Sequence, residues 1–343
     1  MIGDSLPQFY YQFNFIIMLT TTDYTTLTQK LNEWYNESAK EKVQDWIGKE
    51  LFDVSETNWQ TYNYLILNGI AKFDRVAEGA QLPVASSVEG DSVSATQRRY
   101  GGRVSITKDM RMFERYDQMQ ELVRSAVDYA FDRVDQSQAD LLTNGFSGTS
   151  YTDIYGYSQA NTTPDAVVFF SASHTNNQNS TTARNLIRNS AATANPALSR
   201  DAIITARKDA KTHKDPNGTN RPINLNQLIV SATNEDLAER VVFSSGVQGT
   251  PNVDLNPLKS KVSNILVWSR LDTRGDGTDT SAYWFMADSR NIKSTLKSPF
   301  AQKPQMGEST QVHDSLNWEY PIDAYYVLFL GQSFNCWGTT GAN

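Results

Sequence analysis

"DQMQELVRSAVDYAFDRVDQSQADLLTNG", residues 117–145, decides the fold. Met119, Leu122, Val123, Ala126, Val127, Ala130, Phe131 and Val134 recur at steps of three and four. Leu141 and Leu142 resume the stripe after the polar Ser137 and Gln138. That spacing is the period of a helix. Asp117 with Gln120 three residues on reads as a capped start, and Gly145 as the stop. At about 1.5 Å per residue the helix is roughly 40 Å long. An average globular helix has only about 11–12 residues. Glu121, Arg124, Asp128, Asp132 and Asp135 fill the opposite face. The helix is therefore predicted to lie on a sheet or layer, with this charged face in water.

Immediately upstream, "RRYGGRVSITKDM" (98–110) alternates Val104 and Ile106 with Arg103, Ser105 and Thr107, the period of a half-buried strand. Before it, residues 60–100 hold "YNYLIL", "AKFDRVA" and the turn-rich "EGAQLPVASSVEGDS", which together read as a long hairpin with a polar tip. A lone hairpin is marginal in water, so this one needs a surface to lie on. Residues 24–52 are predicted helical, with Leu27, Leu31, Trp34, Tyr35 and Ala39 at helical spacing, and read as an arm that packs elsewhere.

Downstream the elements alternate. "VVFFSAS" is read as a strand or strand end, and residues 176–196 as a loop. Ser199 caps a helix with Ala202, Ile203, Ala206 and Ala210 on one face. "DPNG" (215–218) is a turn, "QLIVSA" (227–232) a buried strand, and "NEDLAERVV" a short helix capped by Asn234. "KVSNILVWSRL" and "SAYWFMADS" are read as two strands joined by the turn "DTRGDGTD". "IDAYYVLFLGQSF" reads as a long strand that must be covered on both faces.

Composition narrows the function. A chain of 343 residues is long enough for one large or two intertwined domains. The formal charge is −7, opposite to the basic excess of a protein that grips DNA through its phosphates. The single Cys336 forms no internal disulfide, and a multi-histidine metal centre would need nearly all of the three histidines, His174, His213 and His313. A reducing compartment is expected. The apolar run "FNFIIML" (13–19) is short and lacks a basic start, so it is not read as a signal peptide. No stretch has the length of a membrane span, and the chain is expected to be soluble and made in the cytoplasm. Met18 is an alternative start.

Ser171, Ser173 and His174 in "FFSASHTN" (169–176) are the stretch most like chemistry. No G-x-S-x-G surrounds the serines, and neighbours on a strand point to opposite faces, so a hydrogen-bonded structural histidine is expected. "RGDG" (274–277) is read as a turn; Asp272, Asp276 and Asp279 lack the spacing and final Glu of a calcium loop. The basic run "ARKDAKTHKD" (206–215) reads as a solvated face, or as a contact with an acidic neighbouring subunit. There is no P-loop and no G-x-G-x-x-G.

The order of elements, and several segments, resemble a tailed-phage major capsid protein of the HK97-type fold, specifically the Mu-like major head subunits. "RRYGGRVSITKDM" looks like the family's Tyr-Gly strand entering the spine helix, and "VVFFSASHTN" like its Phe-Ser-x-x-His segment. "ALSRDAIITARKD" (197–209), "NRPINLNQLIVSATNEDLAERVVFSS" (220–245), "NP" (256–257) and "AYWFMADS" (282–289) follow in the family's order. The likeness covers about residues 60–331; the first 55 match only as a helical arm.

The resemblance implies an α+β HK97-type capsid fold: an N-terminal arm (1–58), an extended β-hairpin or E-loop (59–100), a P-domain strand and spine helix (101–165), an inserted axial α/β A-domain with part of the P-domain sheet (166–320), and a return strand with the C-terminus (321–343). It implies a structural subunit without catalysis or cofactor, assembling through pentamers and hexamers into an icosahedral head around double-stranded DNA. Glu78, Arg98, Arg99, Arg103, Arg207 and Lys211 are the expected intersubunit contacts. Hairpin and arm are expected to lie on neighbouring subunits. DNA is expected to be touched weakly on the inner face, with portal, scaffold or decoration proteins as candidate partners and no membrane. The virion is the expected location, after assembly in the host cytoplasm. Two alternatives stand beside this: an encapsulin-like nanocompartment shell, and a soluble serine hydrolase using Ser173 and His174.

Overall fold

The computed structural model describes residues 21–68, 75–82, 88–175, 182–214, 220–246 and 255–342. The "FNFIIML" run and Met18, the whole "DPNG" turn and part of the hairpin tip lie outside them. Helix α1 (Thr21–Asp45) leads to the hairpin strands β1 (Thr61–Asn68) and β2 (Val88–Thr96). Strand β3 (Arg98–Ile106) then enters the long helix α2 (Tyr116–Thr143). The next elements are α3 (Arg200–Lys211), β4 (Gln227–Val230), α4 (Glu235–Phe243), β5 (Asn264–Val267) and β6 (Trp284–Ala287). The chain closes with β7 (Phe300–Met306), β8 (Trp318–Tyr326) and β9 (Cys336–Thr339).

Helix α2 has the predicted stripe, with Met119, Val123, Val127, Phe131 and Val134 all buried. Its ends differ from expectation. The cap position is Arg115, without a side-chain hydrogen bond, and Asp117 sits inside the first turn. Gly145 is present for packing and not for a left-handed turn: a Cβ there would lie 2.7 Å from the Phe170 ring. The charged face is also not solvated along its length. Asp135, Ser137, Gln138 and Asp140 are buried, so only the N-terminal half lies on a surface while the C-terminal half runs through the core.

Helix α1 packs on α2 through Leu27, Leu31 and Tyr35. The two run parallel: Lys30 sits 5.6 Å over the Tyr116 ring, and Lys42 is 3.3 Å from Asp132. The described part of the arm thus lies on its own subunit, because its apolar stripe matches the one on α2. Past α1, Trp46 Nε1 donates to Gln138 Oε1 (2.7 Å) and Gly48 N to Asp135 Oδ1 (2.9 Å).

Under α2 lies a sheet centred on β8. Strand β3 pairs antiparallel with it from Arg98↔Tyr326 to Ile106↔Trp318, and β7 and the short strand Thr310–Gln311 pair on its other side. Val104 and Ile106 point to the core as the alternation required. "IDAYYVLFLGQSF" is not one strand: β8 ends at Tyr326, Phe329–Leu330 pairs with Leu296–Lys297, and β9 crosses to another sheet. Within β8 only alternate residues (Tyr320, Ile322, Ala324, Tyr326) are buried.

The second sheet has the order β9-β6-β4-β5, antiparallel except for the parallel β4–β5 pair. Its strands separate two cores. Leu228, Val230, Trp284 and Met286 face one with α3 and α4; Ile229, Phe285 and Ala287 face the other with α2. The two segments read as joined by "DTRGDGTD" are therefore not neighbours, since β4 lies between β5 and β6. The connection is held elsewhere: Gly275 N donates to Asp140 Oδ1 (2.9 Å) and Arg274 Nη2 to Thr143 O (2.9 Å), both on α2. "VVFFSAS" is not a strand: Phe169 and Phe170 plug the core, while Ala172 and Ser173 are exposed. Ser199 Oγ caps α3 at Ala202 N (3.3 Å), as predicted; Asn234 instead spends its amide on Ser281 O (2.7 Å).

Candidate assembly interface

Among the described residues, the hairpin is rooted at its base. Tyr62 and Tyr64 lean on Phe329, with ring centroids 5.5 and 6.0 Å apart, and Ala95 and Val327 complete this small cluster. The opposite face carries Thr61, Asn63, Leu65, Ser92, Ser94 and Thr96, all exposed. Toward the tip, Leu82 is 78% exposed. Two strands with one uncovered face do not hold themselves in water.

Of the six residues singled out in the sequence, three share β3. Arg99 Nη2 is 2.7 Å from Asp323, and Arg103 Nη1 is 2.7 Å from Glu319, each a diagonal pair across to β8. Gly101 makes room for the first: a Cβ there would meet Ile322 O at 2.9 Å and Asp323 Cβ at 3.0 Å. Both guanidinium groups remain largely exposed, so each can still accept a second carboxylate from outside. Arg98 donates to Ser158 O (3.3 Å) and lies 5.9 Å over Tyr157. Glu78 and Lys211 are exposed and distant in the chain from this row. Arg207 is turned inward: it is buried, and its Nη1 donates to Leu225 O (2.5 Å) and Lys261 O (2.6 Å). Those carbonyls need a donor inside the subunit, so Arg207 is committed there and offers nothing to a neighbour. Asp323 and Glu319 were missed in the sequence. The alternation in "WEYPIDAYY" (318–326), which puts both on one face of β8, was the available signal.

A groove of about 280 Å³ opens between α2 and this sheet. Val104, Ala126 and Ala130 make its walls apolar, with Arg103, Arg133 and Asp323 also lining it.

His174 is buried and fully engaged. Its Nδ1 is 2.9 Å from Asp165 Oδ2; its Nε2 is 3.0 Å from Phe169 O and 3.1 Å from Asn185 Oδ1. Neither serine hydroxyl bonds the ring: Ser171 Oγ accepts from Ser173 N (3.2 Å), and Ser173 is exposed. The hydrolase alternative fails on this geometry, since a triad needs its base on the nucleophile. The ring staples the 163–174 loop to the 185 segment. Among the described residues no group of His, Cys, Asp and Glu could hold a metal, and burial pushes the Cys336 thiol far up, leaving it inert.

Burial works against the Asp165 charge, but hydrogen bonds from His174 and Thr163 outweigh it and hold the carboxyl below its usual 3.8. A lowered carboxyl contributes stability that is complete above the ordinary range, about pH 4, and is lost as pH falls through the lowered value. Between about pH 5 and 3, the urea midpoint of the native chain is expected to fall more than that of Asp165→Asn. Equal slopes in a urea titration would remove this role for the pair.

An exposed hairpin face, an exposed charged row and a histidine spent on structure fit a shell subunit of the α+β HK97-type fold. Residues 90–321 match the family model described as phage capsid protein, and the chain belongs to that family. It is thus a structural protein of the icosahedral phage head, located in the virion. No curated protein sequence matches it. In fold it is similar to the capsid of an empty GTA particle, at 9% identity and a TM-score of 0.53, over 86% of this chain and 89% of that chain. It also aligns with the capsid of Myoviridae phage XM1 (12% identity, 84% and 89% covered, TM-score 0.45) and with a chain from Mycobacterium phage Adephagia (10%, 85% and 89%, TM-score 0.47). No helix among the described residues is long and apolar enough to cross a membrane.

Proposed function

We propose that copies of this chain form hexamers and pentamers that close the head around double-stranded DNA, in the host cytoplasm. The observation that carries this is the hairpin, packed at its base on Phe329 among the described residues, with Thr61, Asn63, Leu65, Ser92, Ser94 and Thr96 exposed on its other face. In this reading residues 59–100 act as an E-loop over a neighbour and 101–165 as a P-domain with its spine helix. Residues 166–320 act as an axial domain, with the arm (1–58) and the C-terminal segment (321–343) completing the subunit. The order of its motifs groups it with Mu-like head subunits. Glu78, Arg98, Arg99, Arg103 and Lys211 serve as rim contacts, which give register and specificity more than affinity. A nanocompartment shell has less support, because the family matched is that of phage capsids.

Negative-stain electron microscopy with sedimentation velocity of the recombinant protein tests this. Closed shells or rings of five and six are expected; a stable monomer or dimer at high concentration overturns the reading. The net charge of −7 suits a wall that does not hold its cargo tightly. Each neutralised phosphate adds about −0.9 to the slope of log K against log salt. A slope shallower than about −3 is expected for the subunit, and one near −10 would contradict weak inner-face contact. Portal, scaffold and decoration proteins are the further partners such a head recruits.

A further inference from the structure

Among the described residues β3 pairs with β8 alone, so it forms an edge of that sheet. The direction of its free backbone groups follows from β8. Pro321 O accepts from Gly307 N (2.8 Å), just past β7, so Pro321 turns its polar backbone away from Arg103, which stands opposite. Bonded and non-bonded pairs alternate along an antiparallel ladder. Arg99, Gly101, Arg103 and Ser105 therefore point N–H and C=O away from β8, and no described strand meets them. Open edges are usually blunted by Pro, a bulge or a cover. Strand β3 has no Pro, and its register with β8 is unbroken.

Helix α2 has a bare flank on the same side. Lys42 of α1 binds the flank with Asp128 and Asp132. On the other flank Leu122, Ala126, Tyr129 and Arg133 follow at steps of four, three and four, with Leu122 38% and Tyr129 61% exposed. Ala126, Tyr129 and Arg133 face β3 across the groove of about 280 Å³, which β3 lines from Tyr100 to Val104. A Cβ on Gly102 would meet nothing within 4 Å. One more strand beside β3 would satisfy the edge and place alternate side chains under this flank.

A segment outside the described residues has the matching pattern. "FYYQFNFII" (9–17) sets Phe9, Tyr11, Phe13, Phe15 and Ile17 on one face of a strand, and Tyr10, Gln12, Asn14 and Ile16 on the other. Its aromatic and β-branched residues favour a strand. It ends three residues before α1, and residues 5–22 carry no charge. An uncharged strand suits this edge, whereas a second β3 would bring Arg99 and Arg103 against the same arginines.

We propose that residues 9–15 add to β3 as the missing edge strand, with Tyr11, Phe13 and Phe15 in the groove over Gly102 and with Gln12 and Asn14 on the opposite face of the sheet. Main-chain bonds at Gly101 and Arg103 hold the strand, and the groove selects its apolar face, as in β-strand addition. The pairing goes beyond the assembly reading and does not need a closed shell.

Hydrogen exchange of the β3 amides, read by mass spectrometry, tests it. In the full chain Gly101, Arg103 and Ser105 are expected to exchange at least about tenfold slower than in a chain starting at Thr20. Circular dichroism checks that both are folded. Phe13→Asp/Phe15→Asp should abolish the protection, while Gln12→Asp/Asn14→Asp should keep it. Protection that grows with protein concentration assigns the strand to a second copy, and protection independent of concentration to the same copy; both support the pairing. Equal exchange with and without residues 1–19 overturns it, and so does equal loss in the two double variants. Closed shells without this protection remove the strand alone; protection in a chain that forms no shell removes the shell reading alone.

Discussion

Replacing residues 69–87 by a two-residue Asn-Gly turn is expected to give a folded subunit that no longer closes a shell. Asn68 and Val88 are paired, so the strands stand at hairpin distance and an Asn-Gly loop can join them. The root formed by Tyr62, Tyr64, Ala95, Val327 and Phe329 is untouched. None of the described residues removed belongs to a core. Thermal melting of the subunit should therefore move little. Assembly should move much more if, as proposed, the extension lies on a neighbour, because obligate interfaces bury above about 2,000 Å² in total. Losing ~3 kcal/mol at each contact weakens association by more than ~100-fold, enough to abolish closure at micromolar protein. Electron microscopy of the variant reads this directly. Normal shells would remove the hairpin from the account of assembly.

Asp135→Ala is expected to destabilise the subunit by about 2–4 kcal/mol, from the loss of two hydrogen bonds to a charged group. Asp135 Oδ1 accepts from Gly48 N (2.9 Å) and Oδ2 from Trp268 Nε1 (2.9 Å), joining α2 to the segments before the hairpin and after β5. Truncation leaves both donors buried without a partner. Burial is the main effect on this carboxyl and raises it above 3.8, against hydrogen bonds from Trp268 and Gly48 and the charge of Arg270. A raised carboxyl favours the folded state most at low pH, and that contribution is lost as pH rises through the raised value. The cost of Asp135→Ala should therefore grow on acidification from neutral pH toward about 4, opposite in sign to the Asp165 effect. Urea denaturation of the subunit at several pH values measures both. A variant within about 0.5 kcal/mol of native would show that the site tolerates two orphaned donors, contrary to the usual cost.

Much of the fold was legible because its signals are local. The α2 stripe from Met119 to Val134, the Val104–Ile106 alternation and the Ser199 cap each depend on residues a few positions apart. The misread parts depend on distant residues. The insertion of β4 between β5 and β6 brings residues 227–230 between two segments that follow one another in the chain. Periodicity reports which face of a strand is buried, not which strand lies beside it. The role of "RGDG" was hidden for the same reason: its turn is explained by Asp140 and Thr143, more than 130 positions upstream.

The sequence by itself determined the long helix, the strand that enters it and the hairpin that needs a surface to lie on. Each follows from spacing or composition along a short window. Only the tertiary structure decided that Asp135, Gln138 and Asp140 are buried, that Arg207 serves its own subunit, and that His174 is held between Asp165 and Asn185. A charge on an amphipathic helix looks solvated until a second layer closes over it. Whether the layer supplies donors to keep that charge is settled by packing among residues far apart in the chain.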